Sequence, residues 1–113
     1  MLKKKFLPAF HGLRDAFLHP AVRVQILLGC MAVTAGLILQ LSLIEWAVVI
    51  SLIGFVIGAE VFNTCIEKLC DLHSEEYDRR IEVIKDMSAG GVLIAAISAL
   101  AAAIVILFRH LGI

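Results

Sequence analysis

The chain has 113 residues, of which 61% are hydrophobic, and its formal net charge is zero. Soluble domains are about 45–50% apolar, and a small domain buries only about 60–70% of its surface. The composition therefore excludes an ordinary soluble globule and indicates an integral membrane protein. A neutral charge without a long basic block gives no reason to expect a nucleic-acid partner.

The first predicted element, at about residues 3–19, mixes basic and apolar side chains. Its large apolar residues recur at spacings of four, three and four, which places them on one helical face: Phe6, Phe10, Leu13 and Phe17. A helix that lies in the cytoplasmic interface of the membrane is expected. Pro20 predicts the bend that follows this helix.

Three long apolar segments come next, and each can cross a hydrocarbon core, which needs about 20 helical residues. They predict membrane helices at about 21–44, 46–70 and 80–110. The expected fold is therefore all-α and integral to the membrane, with one membrane domain over residues 1–113.

Basic residues set the expected orientation. They precede the first span and lie between the second and third, whereas the link QLSLIE has none. The positive-inside rule then places the N-terminus in the cytoplasm and the C-terminus outside. Arg109 and His110 at the outer end are a mild exception.

The second span ends in EVFNTCIEKLCD, where polar side chains recur with helical spacing. They share one helix face: Glu60, Asn63, Thr64, Glu67 and Asp71. This face is expected to run from the membrane to the cytoplasmic surface. A carboxylate within the apolar segment costs about 2.5–3.5 kcal/mol on insertion scales, so Glu60 is expected to line a functional site.

Three further polar residues should lie at the same depth as this face. Arg23 opens the first span, and Lys85 and Asp86 precede the third. Carboxylates are ligands that Mg²⁺ favours, cationic side chains bind phosphate, and Glu60 could act as a base. These are the components of phosphoryl transfer, although composition and spacing identify no substrate.

The segments EVFNTCIEKLCDL and KDMSAGGVLIAA, with a short polar link between them, resemble the prokaryotic diacylglycerol kinase and undecaprenol kinase family. The family pattern runs E-x-x-N-[ST]-x-[IL]-E-x-x-x-D and then K-D-x-x-[AS]-[AG]-[AG]-V-L. HGLRDAF and HPAVRVQILL extend the resemblance over nearly the whole chain. It implies a three-span bacterial inner-membrane enzyme that works as a homotrimer. Such enzymes transfer the γ-phosphoryl group of ATP to a lipid alcohol and use Mg²⁺.

The resemblance also implies roles for individual residues. Glu60 matches the catalytic base, and Glu67 matches a metal-binding carboxylate. Residues matched to the nucleotide and phosphate site are Asn63, Lys85, Asp86, Asp71 and Arg23. His19 stands where many members carry a second metal-binding Glu, and imidazole is a poorer Mg²⁺ ligand. Either Asp15 substitutes, or Glu67, phosphates and water hold the metal, or activity is weakened or changed.

The leading hypothesis is a kinase that converts diacylglycerol to phosphatidic acid, with undecaprenol as the alternative acceptor. A non-catalytic membrane assembly subunit is the alternative of another class. The His19 substitution favours that subunit, and the otherwise intact acidic and cationic set opposes it. A channel lined by Glu60 would need polar residues across the bilayer, and the first and third spans provide few.

Overall fold

The computed structural model describes residues 2–112, which are helical apart from three short connections and the final cap residue Gly112. The helices are α1 (Leu2–Ala16), α2 (Pro20–Leu39), α3 (Leu43–His73) and α4 (Arg79–Leu111). The described part of the chain contains no strand. Helices α2, α3 and α4 are each long and apolar enough to cross a membrane. The predicted all-α fold with three spans is confirmed, and the chain is a multi-pass membrane protein.

Helix α1 is consistent with the expected interfacial helix. Phe6 and Phe10 are 56% and 65% exposed, so the apolar face of α1 is left uncovered by the rest of the chain. The turn after α1 is closed by the His19 N–H, which donates to the Ala16 carbonyl at 3.0 Å. Pro20 then occupies the first turn of α2, where its missing N–H leaves no bond unmade.

Helix α2 ends at Leu39, five residues before the predicted limit of 44. Gln40 adopts the left-handed conformation with φ of 57°, and its N–H bonds back to the Gly36 carbonyl. A capping box then begins α3: Ser42 Oγ accepts from the Glu45 N–H at 3.2 Å, and Glu45 Oε1 accepts from the Ser42 N–H at 2.9 Å. This reciprocal pair satisfies two free N–H groups at a helix start, so the connection between α2 and α3 spans only residues 40–42.

The connection between α2 and α3 and the first turn of α3 pack tightly against Gly36. A Cβ at this position would lie 2.8 Å from Trp46 Cη2 and 2.9 Å from Leu41 Cδ1. We expect Gly36→Ala to displace the indole and lower the free energy of unfolding by about 1–3 kcal/mol, as overpacking does. Thermal unfolding in detergent checks this, with Gly12→Ala as control because a Cβ at Gly12 would meet nothing within 4 Å. Equal stability of both variants would contradict the tight packing.

Helix α3 lies at the centre of the bundle, with α2 packed on one side and α4 on another. Between these helices runs an apolar groove of about 430 Å³, lined in part by small residues that include Gly29, Ala32, Ala99 and Ala103. Large side chains elsewhere point outward: Phe55 and Phe62 on α3 are each 71% exposed. Apolar side chains that point outward suit contact with lipid. Lipid tails are as apolar as these side chains, so there is no hydrophobic gain from burying them between helices.

Candidate active site

Glu60 and Asn63 lie on the buried face of α3, at 7% and 8% exposure. Val56, one turn before Glu60, is buried on the same face and lines the apolar groove. Thr64 donates its hydroxyl to the Glu60 carbonyl at 2.9 Å, which satisfies that hydroxyl within the helix. The acidic group predicted from the sequence is therefore enclosed by protein and not turned toward lipid.

Glu67 lies on the same polar face of α3 and is exposed at the surface. Its Oε1 accepts a hydrogen bond from Asn63 Nδ2 at 3.2 Å, across one helical turn. Asn63 Oδ1 is buried and has no hydrogen-bond partner among the described residues. An orphaned buried acceptor costs about 1–3 kcal/mol, so a ligand or a second chain that reached this oxygen would relieve a real penalty.

Lys85 contacts Asp71 and thereby joins the start of α4 to the end of α3. Lys85 Nζ lies 2.7 Å from Asp71 Oδ1. Asp71 is four residues beyond Glu67, which is about 6 Å further along the helix axis. The Lys85 ammonium is therefore held about one turn away from Glu67, toward the connection between α3 and α4.

The other predicted site residues make no hydrogen bond or ion pair with this face among residues 2–112. Arg23 and Asp86 are exposed, and neither side chain has a hydrogen bond or ion pair with any residue in the range 2–112. His19 precedes α2 without a side-chain capping bond, and Asp15 lies 3.9 Å from Arg14. No cluster of three or more His, Cys, Asp or Glu that could hold a metal occurs in residues 2–112.

The connection between α3 and α4 is fixed by Asp78. Its Oδ1 accepts from the Arg80 N–H at 2.8 Å and caps α4, and its Oδ2 accepts from Arg80 Nη2 at 2.9 Å. These bonds to Arg80 lower the pKa of the Asp78 carboxyl to about 2. The cap therefore remains charged well below neutral pH and is lost only as the pH falls through that value. A groove of about 790 Å³ lies beside it, between Leu69, His73 and Ile81.

The opposite end of the α3–α4 hairpin carries a charged cluster that sequence reasoning missed. Glu45 is buried and accepts two bonds from Arg109, at 2.9 Å to Nε and 2.7 Å to Nη2. His110 Nε2 lies 3.0 Å from Glu45 Oε1. Arg109 therefore has a local acidic partner at this end of the hairpin. The S-x-x-E signature of Ser42 and Glu45 was a signal for the helix start, but nothing in the sequence indicated the partner 64 residues away.

We expect Glu45→Gln to lower the melting temperature in detergent by several degrees. Glutamine can still accept from Ser42, but Arg109 loses a two-point, charge-assisted contact that is stronger than a neutral one. Glu75→Gln, the same change at an exposed carboxylate in the α3–α4 connection, is the control and should leave the melting temperature unchanged. Equal melting temperatures for the two variants would show that the cluster contributes nothing to stability.

Together, the bundle and its polar face define a small multi-pass membrane protein with a candidate site at one end of a helical hairpin. The prokaryotic diacylglycerol kinase family model matches residues 8–107. The chain belongs to this family, and the resemblance drawn from its motifs is confirmed. A lipid kinase family implies ATP as co-substrate and a lipid as acceptor.

Individual relatives carry two different names. The chain is 34% identical to an undecaprenol kinase of Bacillus subtilis over 68 residues, which is 60% of this chain and 55% of that relative. It is 30% identical to a diacylglycerol kinase of Escherichia coli K12 over 105 residues, or 92% and 86% of the two chains. A diacylglycerol kinase of Synechocystis is 35% identical over 78 residues, 68% of this chain and 45% of that relative. The chain thus spans about half the length of the Bacillus and Synechocystis relatives.

Proposed function

We propose that the protein transfers the γ-phosphoryl group of ATP to the hydroxyl of a membrane lipid alcohol, with diacylglycerol giving phosphatidic acid. The observation that carries this proposal is the polar face of α3, where a buried carboxylate at Glu60 is followed two turns later by an exposed one at Glu67. Such a face extends from a position enclosed by protein to a position exposed to water. It suits a reaction between a lipid in the bilayer and a nucleotide in water.

Glu60 is the proposed catalytic base. Its carboxylate is enclosed on α3, so few water molecules compete with a lipid hydroxyl for its oxygens. A carboxylate within hydrogen-bond reach of that hydroxyl can accept its proton as the phosphoryl group is transferred. Entry of the lipid from the side of the bundle would bring the hydroxyl to this depth without exposing the acyl chains to water.

Glu67 is the proposed holder of Mg²⁺, and we extend this role to Asn63, which the resemblance places in the nucleotide and phosphate site. The donor atoms of both residues fit the ion. Asn63 Oδ1 is a buried oxygen without a partner, and Glu67 offers an exposed carboxylate one turn away. Mg²⁺ takes such hard oxygen ligands along with water and substrate phosphates. The ion would supply charge neutralisation for the phosphates when bound. This arrangement does not require His19 as a ligand of Mg²⁺.

Lys85 is the proposed phosphate-binding cation, and the nucleotide site extends from it. Arg23, Asp86 and Asp71 complete the residues that we assign to the nucleotide and phosphates. The guanidinium of Arg23 is exposed and without an intrachain partner in residues 2–112, so it is available to an anionic ligand. Lys85 and Arg23 lie at the ends of α4 and α2 that we place at the cytoplasmic surface, where ATP is present.

We infer a homotrimer in the bacterial inner membrane, with the N-terminus in the cytoplasm and the C-terminus outside. Gly54 and Gly58 leave an open strip on α3, because a Cβ at either position would meet nothing within 4 Å. Small residues at four-residue spacing let helices approach closely in lipid. A neighbouring chain on such a strip could supply the groups that one chain does not bring to Glu60 and Glu67.

Diacylglycerol is the first candidate acceptor because the diacylglycerol kinase of E. coli matches 92% of this chain. Undecaprenol is the second, since the relative with that name is 34% identical over 68 residues. Both lipids place one hydroxyl at the membrane boundary. A non-catalytic assembly subunit remains the alternative of another class, because His19 replaces an expected metal ligand.

The test is a transfer assay with the purified protein in detergent, Mg²⁺ and γ-labelled ATP. Diacylglycerol and undecaprenol are supplied separately, and the labelled lipid is identified by chromatography. Label in phosphatidic acid is the expected result. Label only in undecaprenyl phosphate would establish the second acceptor, and no labelled lipid with either alcohol would favour the assembly subunit.

A further inference from the structure

The ion pair between Asp71 and Lys85 links the cytoplasmic ends of α3 and α4. The two atoms lie 2.7 Å apart, and the side chains are 57% and 38% exposed. Lys85 is therefore partly enclosed at the junction of the two helices. The Lys85 side chain extends from α4 to α3 to make this contact.

The charge of Asp71 is unsuited to direct contact with the phosphates of a nucleotide. A carboxylate repels phosphate oxygens, and it offers no donor to them when ionised. Its one charged partner within residues 2–112 is Lys85. An ammonium has three N–H donors, so Lys85 can keep one bond to Asp71 and direct the other two at phosphate oxygens.

We propose that Asp71 is a positioning residue that acts through Lys85. It fixes the long, flexible lysine side chain at the α3–α4 junction, so that the ammonium is already in place when the nucleotide arrives. A fixed cation loses less conformational freedom on binding than a free one. The inference rests on the proposed function, and it changes the role of Asp71 from a ligand of the nucleotide to a support for the residue that binds it.

Binding of a non-hydrolysable ATP analogue with Mg²⁺ to the full-length protein, measured by calorimetry, tests this role. The variants are Asp71→Asn, Lys85→Met and the double variant. Asp71→Asn should weaken binding about tenfold through loss of preorganisation. In the Lys85→Met background the same change should alter the affinity less than about twofold, because residues that act as one unit are not additive.

Two further variants separate positioning from general effects. Asp71→Glu keeps the charge and should restore most of the affinity. Glu82→Gln makes the same charge change and breaks the exposed Arg79–Glu82 pair of 3.6 Å, and it should leave the affinity unchanged. If Asp71→Asn tightens binding in both backgrounds, Asp71 acts by direct repulsion and the inference is overturned.

The outcomes also separate this inference from the proposed function. A wild-type protein that transfers phosphate to lipid, with an Asp71→Asn variant of equal affinity and rate, would overturn only the role of Asp71. A reduced melting temperature for Asp71→Asn with unchanged affinity would do the same. A wild-type protein that neither binds the analogue nor labels either lipid would overturn both.

Discussion

Replacing Glu60 with Gln is expected to reduce kcat by about 10²–10⁴-fold, which is the contribution of general acid–base catalysis. An amide cannot accept the proton of the lipid hydroxyl, although it has nearly the same shape. KM for ATP should change little, because Glu60 is two turns away from Glu67 on α3. The transfer assay with saturating lipid and varied ATP measures both constants.

The melting temperature of Glu60→Gln checks whether a loss of activity comes from loss of folding. A neutral amide is less costly to bury than a carboxylate, so the melting temperature of Glu60→Gln should equal or exceed that of the wild type. Glu75→Gln, at an exposed position in the α3–α4 connection, should retain full activity. A Glu60→Gln protein that keeps more than a tenth of the wild-type kcat would remove Glu60 from the chemistry.

Replacing Glu67 with Gln is expected to raise the Mg²⁺ concentration needed for half-maximal activity by about 10–100-fold, as loss of metal-site groups commonly does. The amide oxygen of Gln can still accept from Asn63, so the bond across this turn of α3 is kept. What is lost is the negative charge that favours the divalent ion. A titration of activity against Mg²⁺ at fixed ATP measures the shift.

High Mg²⁺ should restore much of the rate of Glu67→Gln and none of the rate of Glu60→Gln. That difference separates a metal-binding acid from a proton-accepting one. Glu82→Gln is the control for the charge change, since Glu82 pairs with Arg79 at the surface. An unchanged Mg²⁺ requirement in Glu67→Gln would show that the ion is held elsewhere.

The sequence predicted those features of the fold that depend on local pattern. Apolar length located the three spans, and spacings of three and four placed Asn63 and Glu67 on one face, where the structure has them bonded. The end of α2 was missed because Leu41, Leu43 and Ile44 continue the apolar run through the turn. There the left-handed conformation of Gln40 ends the helix, and hydropathy does not detect backbone conformation.

The contacts between helices could not be predicted from the sequence, because they depend on the register of one helix against another. Lys85 lies opposite Asp71 and Arg109 lies opposite Glu45, at sequence separations of 14 and 64 residues. The periodic pattern of one helix indicates neither which residue of the facing helix is the partner nor at what height along that helix it lies. The same limit explains why Arg23 and Asp86 were expected beside the acidic face, whereas one chain leaves both side chains exposed.

The most direct measurement is the location of the metal–nucleotide complex on the chain. Mn²⁺ in place of Mg²⁺, bound with a non-hydrolysable ATP analogue, broadens the NMR signals of nearby residues in isotope-labelled protein. Broadening is expected around Asn63, Glu67 and Lys85. Signals around Glu45 should stay sharp, because 22 residues of helix place it about 33 Å from Glu67. Broadening centred on Glu45, or none around Glu67, would contradict an active site at this end of the bundle.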